Sequence, residues 1–189
     1  MTVAGRSRGL GDLKARALEL EQPLSVHLEL TRRCNWRCAF CSNARKLDER
    51  TLRAAEWAEV LDDLRSLGTL WVTLTGGEPL AHPDFLEIVR SVRSRALATR
   101  IFTNGSLVDA RIADELARLG VSTVELSLHG SSAGVHDLTT GCAGSFDAMM
   151  RGLGLLKDRG IPLLLKTPLT RLNESELDGL VALARSLDV

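Results

Sequence analysis

The chain has 189 residues, 44% of them apolar, enough to bury a substantial core in one domain. Its 24 Lys and Arg balance 24 Asp and Glu, so it lacks the overall positive field that draws proteins to nucleic acid or anionic membrane surfaces. Apolar runs such as Leu163 to Leu165 are far too short for a membrane-spanning helix or a signal-peptide core. A peptide or small-molecule substrate and a cytoplasmic location are therefore expected, with neither nucleic acid nor membrane as partner.

Residues 1–23 are expected to form an N-terminal leader or helix. Arg6, Arg8, Lys14 and Arg16 can be read as a weak transit peptide, and a solvated, poorly ordered segment is the commoner explanation of such a stretch. Residues 24–189 read as one core domain. Apolar and β-branched runs at Leu24–Leu30, Leu70–Thr75, Ala98–Phe102, Val121–Leu128 and Ile161–Lys166 predict five strands. Between them, Leu52, Trp57, Val60, Leu61 and Leu64 fall on one helical face. So do Phe85, Ile88, Val89 and Val92, and then Ile112, Leu116 and Leu119. A fourth helix is expected from Ser145 to a left-handed stop at Gly160. A fifth is expected from Asn173 to about Leu187, opened by a capping box of Asn173 and Glu176. Strict alternation of this kind predicts parallel strands, and hence an α/β barrel or a doubly wound sheet. A full eight-unit barrel needs roughly 250 residues. About five βα units predict a partial (β/α) barrel, and a chain that stops just after a helix is expected to be shorter than its natural product.

The first strand runs into Thr31-Arg32-Arg33-Cys34-Asn35-Trp36-Arg37-Cys38-Ala39-Phe40-Cys41. This puts three thiols on a loop at the C-terminal end of a strand, where α/β folds place their active sites. Neighbouring arginines favour thiolates, and Trp36 and Phe40 can shield the site from water. Three thiolates on a four-iron cube leave one iron open for catalysis. Structural zinc remains an alternative, with Cys142 or His27 as a fourth ligand. A non-catalytic electron carrier with Cys142 as fourth ligand is another.

The loop resembles the Cys-x3-Cys-x-aromatic-Cys signature of the radical S-adenosylmethionine superfamily, with Phe40 as the aromatic residue. The resemblance runs from about Leu24 to Val189. It implies a [4Fe–4S] cluster on Cys34, Cys38 and Cys41 whose open iron chelates the methionyl amino and carboxylate groups of S-adenosylmethionine. An electron passed through the cluster then yields a 5′-deoxyadenosyl radical, and a flavodoxin- or ferredoxin-type donor is implied. Thr75-Gly76-Gly77-Glu78-Pro79, after the second strand, is similar to the superfamily's Gly-Gly-Glu-Pro motif, which binds the cofactor's amino group. Its glycines permit close backbone approach to a ligand, and Pro79 biases Glu78 toward an extended backbone from which its carboxylate, with nearby carbonyls, is expected to meet an ammonium group. By the same resemblance Asn104 and Ser127, at the ends of the third and fourth strands, are cofactor contacts. His129 stands where many relatives have Asp. His136-Asp137, Thr140-Gly141 and Gly144-Ser145-Phe146 resemble a segment of relatives that modify peptides or build peptide-derived cofactors. Some of those carry an Arg near Thr140 that pairs with the cofactor carboxylate; Lys166 is a candidate to supply that charge here, and Cys142 is read as incidental.

Overall fold

The computed structural model describes residues 9–43 and 50–189. Helix α1 (Leu10–Glu19) precedes strand β1 (Ser25–Thr31), followed by α2 (Ala54–Ser66), β2 (Trp71–Gly76), α3 (Phe85–Ser94) and β3 (Ala98–Thr103). Then come α4 (Ala110–Leu119), β4 (Thr123–Ser127), α5 (Ala133–Thr140), α6 (Ser145–Lys157), β5 (Leu163–Lys166) and α7 (Leu177–Ser186). The five strands are parallel and lie side by side in sequence order. Successive helices touch, α2 on α3, α3 on α4 and α4 on α6. An unreversed strand order under one continuous helical layer is the arc of a barrel; a doubly wound sheet would reverse its order partway.

Side-chain alternation sorts the sheet into two faces. Leu28, Leu30, Val72, Leu74, Ile101, Val124 and Leu126 are buried in a core shared with Trp57 and Leu61 of α2, Ile88 and Val92 of α3, Leu116 of α4, and Met149, Leu153 and Leu156 of α6. The opposite face carries Thr75, Phe102, Glu125, Ser127 and Lys166, which line a cavity.

The ends of several elements differ from their sequence patterns for local reasons. The fourth and fifth strands start later than their apolar runs because Val121 and Ile161 close the helices before them. Gly120 and Gly160 take left-handed φ of 61° and 66°. The next amides then donate to Leu116 O and Leu156 O, and these buried side chains finish the helix caps instead of opening strands. The capping box expected at Asn173 and Glu176 does not form. Asn173 is fully buried, accepts from Thr170 N and donates to the carbonyls of His129 and Pro168. Glu176 accepts from Ser131 N and Oγ. A short 3-10 turn over Glu174–Glu176 leads into α7 instead. Arg6 and Arg8 lie outside the described residues. Within the expected N-terminal leader or helix, Leu10–Glu19 is helical, started by a Gly9 N–H to Asp12 carboxylate bond and anchored through buried Ala17. Helix α5 had no counterpart in the apolar spacing, although Ser132 before it and Gly141 after it, at φ 63°, are ordinary boundary residues.

Candidate active site

At its C-terminal end β1 passes into the three-thiol loop, and the end of β2 is fastened to that loop by its backbone. Gly77 N–H donates to Thr31 O at 2.7 Å and Glu78 N–H to Arg33 O at 2.8 Å. A Cβ on Gly77 would overlap Arg33 O, and one on Gly76, at φ 132°, would overlap Thr31 O. The two glycines thus permit backbone to approach backbone, bringing the Gly-Gly-Glu-Pro segment against the cysteine loop while both glycines also face the cavity.

Glu78 has the extended backbone expected before proline, with φ −117° and ψ 110°. Its carboxylate, expected to meet an ammonium group in the cavity, is instead fully buried and does not line it, because donors of the protein take both its oxygens. It accepts from Thr103 Oγ1 at 2.6 Å, Asn104 N at 2.7 Å and Leu80 N at 3.1 Å. Burial pushes its pKa up to about 7 against the opposing pull of these donors. Glu78 therefore pins the end of β3 to the end of β2. Asn104, held by that bond, turns its side chain to the cysteine loop: Nδ2 donates to Asn35 Oδ1 at 2.8 Å and lies 4.0 Å from Cys34 Sγ, and Oδ1 accepts from Ser106 N and Oγ. Asn35 also donates to Ser106 Oγ. Sequence reading missed Asn35 and Ser106, whose only signal was their nearness to motif residues.

Helix α5 clamps the loop from the other side. Arg37 N–H donates to Thr140 O and Ala39 N–H to Thr139 O, at 2.8 and 3.0 Å. Gly141 lies so close that a Cβ there would press on Arg37 O. Trp36, buried under the loop, meets His136 edge-on at 5.2 Å between ring centres, and Phe40 meets His129 at 4.9 Å. The two imidazoles stack, and His136 Nδ1 accepts the His129 N–H. Burial lowers both histidines to about 4, helped at His129 by its neighbour and resisted at His136 by Asp137. Both are neutral at pH 7. Thr140, where some relatives have Arg, is buried and bonded to Ser145.

A cavity of about 470 Å³ opens over this construction. Cys34, Cys38 and Cys41 line it together with Gly76, Gly77 and Asn104, and Ser127, His129 and Lys166 join them from the ends of the later strands. Pro79 is buried behind it. Cys142 is not among the lining residues, and its thiol faces Ala143 O. Among the described residues no three His, Cys, Asp or Glu side chains stand together as a single-ion site. In a four-iron cube each cysteine takes a different iron, so the thiols must border a volume rather than meet at a point. Three thiols lining one cavity fit that requirement.

These features, a partial barrel with its thiols and Gly-Gly turn on one cavity, define a class that the comparisons make explicit. The model of the Radical SAM superfamily matches residues 28–184, and the chain belongs to that superfamily. Membership implies S-adenosylmethionine and an iron–sulfur cluster. The PqqA peptide cyclase of Ruegeria pomeroyi is 35% identical over 182 residues, 92% of this chain and 47% of that protein. The mycofactocin maturase MftC of Mycolicibacterium smegmatis is 33% identical over 167 residues, 87% and 42% respectively. The crystal structure of Streptococcus suis SuiB bound to S-adenosylmethionine superposes with a TM-score of 0.81 at 21% identity, covering 95% of this chain and 43% of that one, and shares the fold. The chain spans about half the length of the curated relatives it matches.

Proposed function

We propose that this chain is the core of an enzyme that reductively cleaves S-adenosylmethionine at a [4Fe–4S] cluster held by Cys34, Cys38 and Cys41, and directs the resulting chemistry onto a peptide. The observation that carries this reading is the convergence of those thiols, Gly76, Gly77, Asn104 and Ser127 on one cavity. When bound, the cluster supplies the electron that splits the cofactor into methionine and a 5′-deoxyadenosyl radical able to take hydrogen from substrate.

The protein's own share is placement and shielding. Asn104 directs an amide N–H toward Cys34 Sγ, and Trp36 N–H donates to the same sulfur at 3.4 Å; donors of this kind stabilise a thiolate ligand. Gly76 to Pro79 present backbone to the cofactor's amino group, with Glu78 acting from behind by fixing the turn and Asn104. Ser127 and Lys166 offer a hydroxyl and an ammonium from the ends of β4 and β5. Trp36, buried in the loop, and Phe40 keep water from the thiols. A peptide substrate is supported by the relatives named as a peptide cyclase and a maturase. A flavodoxin- or ferredoxin-type donor supplies the electron, which suits a cytoplasmic location. No helix among the described residues is long and apolar enough to cross a membrane.

Anaerobic reconstitution tests this reading. About four irons per chain are expected, with an electron paramagnetic resonance spectrum that changes on adding S-adenosylmethionine and slow release of 5′-deoxyadenosine without substrate. A spectrum indifferent to S-adenosylmethionine, with iron lost in Cys142→Ala, would establish an electron carrier instead. Zinc in place of iron would overturn both.

A further inference from the structure

Asn173 does not line the cavity, yet it is fully buried and holds two residues that do. Its Nδ2 donates to His129 O and to Pro168 O, both at 3.1 Å. Its Oδ1 accepts from Thr170 N at 2.7 Å and from Thr170 Oγ1 at 3.1 Å. An Asn side chain has two donors and two lone pairs, so all of its capacity is used: the oxygen shapes the turn before α7, and the amide staples two carbonyls of the cavity lining. Beside it, Glu176 Oε2 accepts from Ser131 N at 2.8 Å and Ser131 Oγ at 2.6 Å. A Cβ on Gly179 would overlap Ser131 Oγ, so α7 lies directly against the residues that follow His129.

His129 carries this restraint toward the thiols. Its N–H donates to His136 Nδ1 at 3.1 Å, and the two rings stack with their centres 5.7 Å apart. Nε2 of His136 is buried without a hydrogen-bond partner, so one bond and packing fix that ring, and the bond comes from the residue whose carbonyl Asn173 holds. The rings in turn support the aromatics of the cysteine loop, His129 against Phe40 and His136 against Trp36. Trp36 stands between Cys34 and Cys38, and Phe40 between Cys38 and Cys41. From the end of α5, Thr140 O and Thr139 O accept the Arg37 and Ala39 amides.

We propose that Asn173 is a positioning residue for the cysteine loop: it fixes His129, and through His129, His136 and α5 it sets the backbone that spaces Cys34, Cys38 and Cys41. The consequence for iron rests on the reading of those thiols as cluster ligands, whereas the mechanical coupling is measurable without metal.

Asn173→Asp separates the two halves of the side chain. The carboxylate still accepts from Thr170, but it sets an oxygen against the carbonyls of His129 and Pro168, where the amide donated. Hydrogen exchange on the full chain, before and after anaerobic reconstitution, reads the effect in the segment 35–41, which contains the Arg37 and Ala39 amides. In Asn173→Asp these amides should exchange roughly 10-fold faster in both states, the scale of one lost buried hydrogen bond, while β2 and β3 keep wild-type rates. Glu176→Gln puts a neutral acceptor at Ser131 and should speed the same segment about 2- to 5-fold. Ile101→Ala, a core change away from this chain of bonds, should raise exchange without favouring the loop. After reconstitution, Asn173→Asp should also alter the electron paramagnetic resonance spectrum of the reduced cluster, and Ile101→Ala should not. Wild-type exchange in the segment 35–41 of Asn173→Asp, or a rise spread evenly over the chain as in Ile101→Ala, would overturn the proposal. If Asn173→Asp does not fold, Glu176→Gln decides on the same measure, with selective acceleration supporting the coupling and wild-type rates overturning it. A wild-type chain that takes up no iron would overturn the reading of the thiols instead, and the exchange rates of the metal-free chain would still decide the coupling.

Discussion

On the helix side of the sheet, Leu74, Ile101, Val124 and Leu126 are wholly buried. On the other side the same strands present Thr75, Phe102, Glu125 and Lys166 to a cavity. Parallel strands are ordinarily apolar on both faces because both are covered. The second face here carries hydroxyls and ion pairs, so two roles are divided across the thickness of one sheet: one face packs and the other lines a cavity. Mutations should therefore separate into two kinds according to the direction a side chain takes from its strand.

The largest contrast concerns metal. Ala at Cys34, Cys38 or Cys41, on the cavity side, should remove most of about four irons per chain. Cys142→Ala, off the cavity, should keep them. Iron analysis after reconstitution checks this, and equal losses at all four positions would erase the distinction between the thiols.

The second contrast compares the two faces of the sheet. Ile101→Ala, on the covered face, should lower the unfolding free energy by about 2–5 kcal/mol through lost burial and a residual cavity. Leu164, 44% exposed on the other face, should cost under about 1 kcal/mol when cut to Ala. Urea unfolding of the two variants measures the difference, and comparable losses would mean that the cavity face is packed like a core.

The smallest effect tests the buried polar groups at the rim. Between pH 4.5 and 6.5 the unfolded chain protonates two histidines that stay neutral when folded down to about 4. Over the same range the folded chain keeps on Glu78, with its pKa near 7, a proton that the unfolded chain releases above about 4.5. The histidines make stability fall on acidification and Glu78 makes it rise, leaving a net loss of roughly one proton's worth, about 1.4 kcal/mol per pH unit. Glu78→Gln should steepen that slope toward two protons. An unchanged slope in the variant would show that Glu78 is not held protonated.

Much of the fold could be read from sequence because it is written in local spacing. The apolar positions of α3 and α4 repeat at helical intervals, and the strand runs are short and bounded by turn residues. The cysteine loop and Gly-Gly-Glu-Pro were legible as linear motifs. What escaped depends on register and direction. Nothing in Glu78-Pro79 tells whether the carboxylate points into the cavity or back into the structure; the donors that turn it back, Thr103 and Asn104, come from another strand. Glu125 and Lys166 meet only because β4 and β5 pair as they do. Asn173 and Glu176 have the right spacing for a helix cap, yet tertiary partners at His129 and Ser131 take both side chains. Helix α5 is eight residues long, with two threonines at its end and only a short apolar face, so periodicity has little to register.

The tether between the cysteine loop and α5 also has a consequence for the order of events during synthesis. All three thiols of the loop emerge by Cys41, but the carbonyls that hold Arg37 and Ala39 belong to Thr140 and Thr139, about a hundred residues later. At typical elongation rates of about 5–20 residues per second, the loop waits on the order of 5–20 s before its clamp exists. During that interval the thiols are present without the backbone shape that spaces them. The shape that spaces the thiols arrives only when the chain has reached the end of α5.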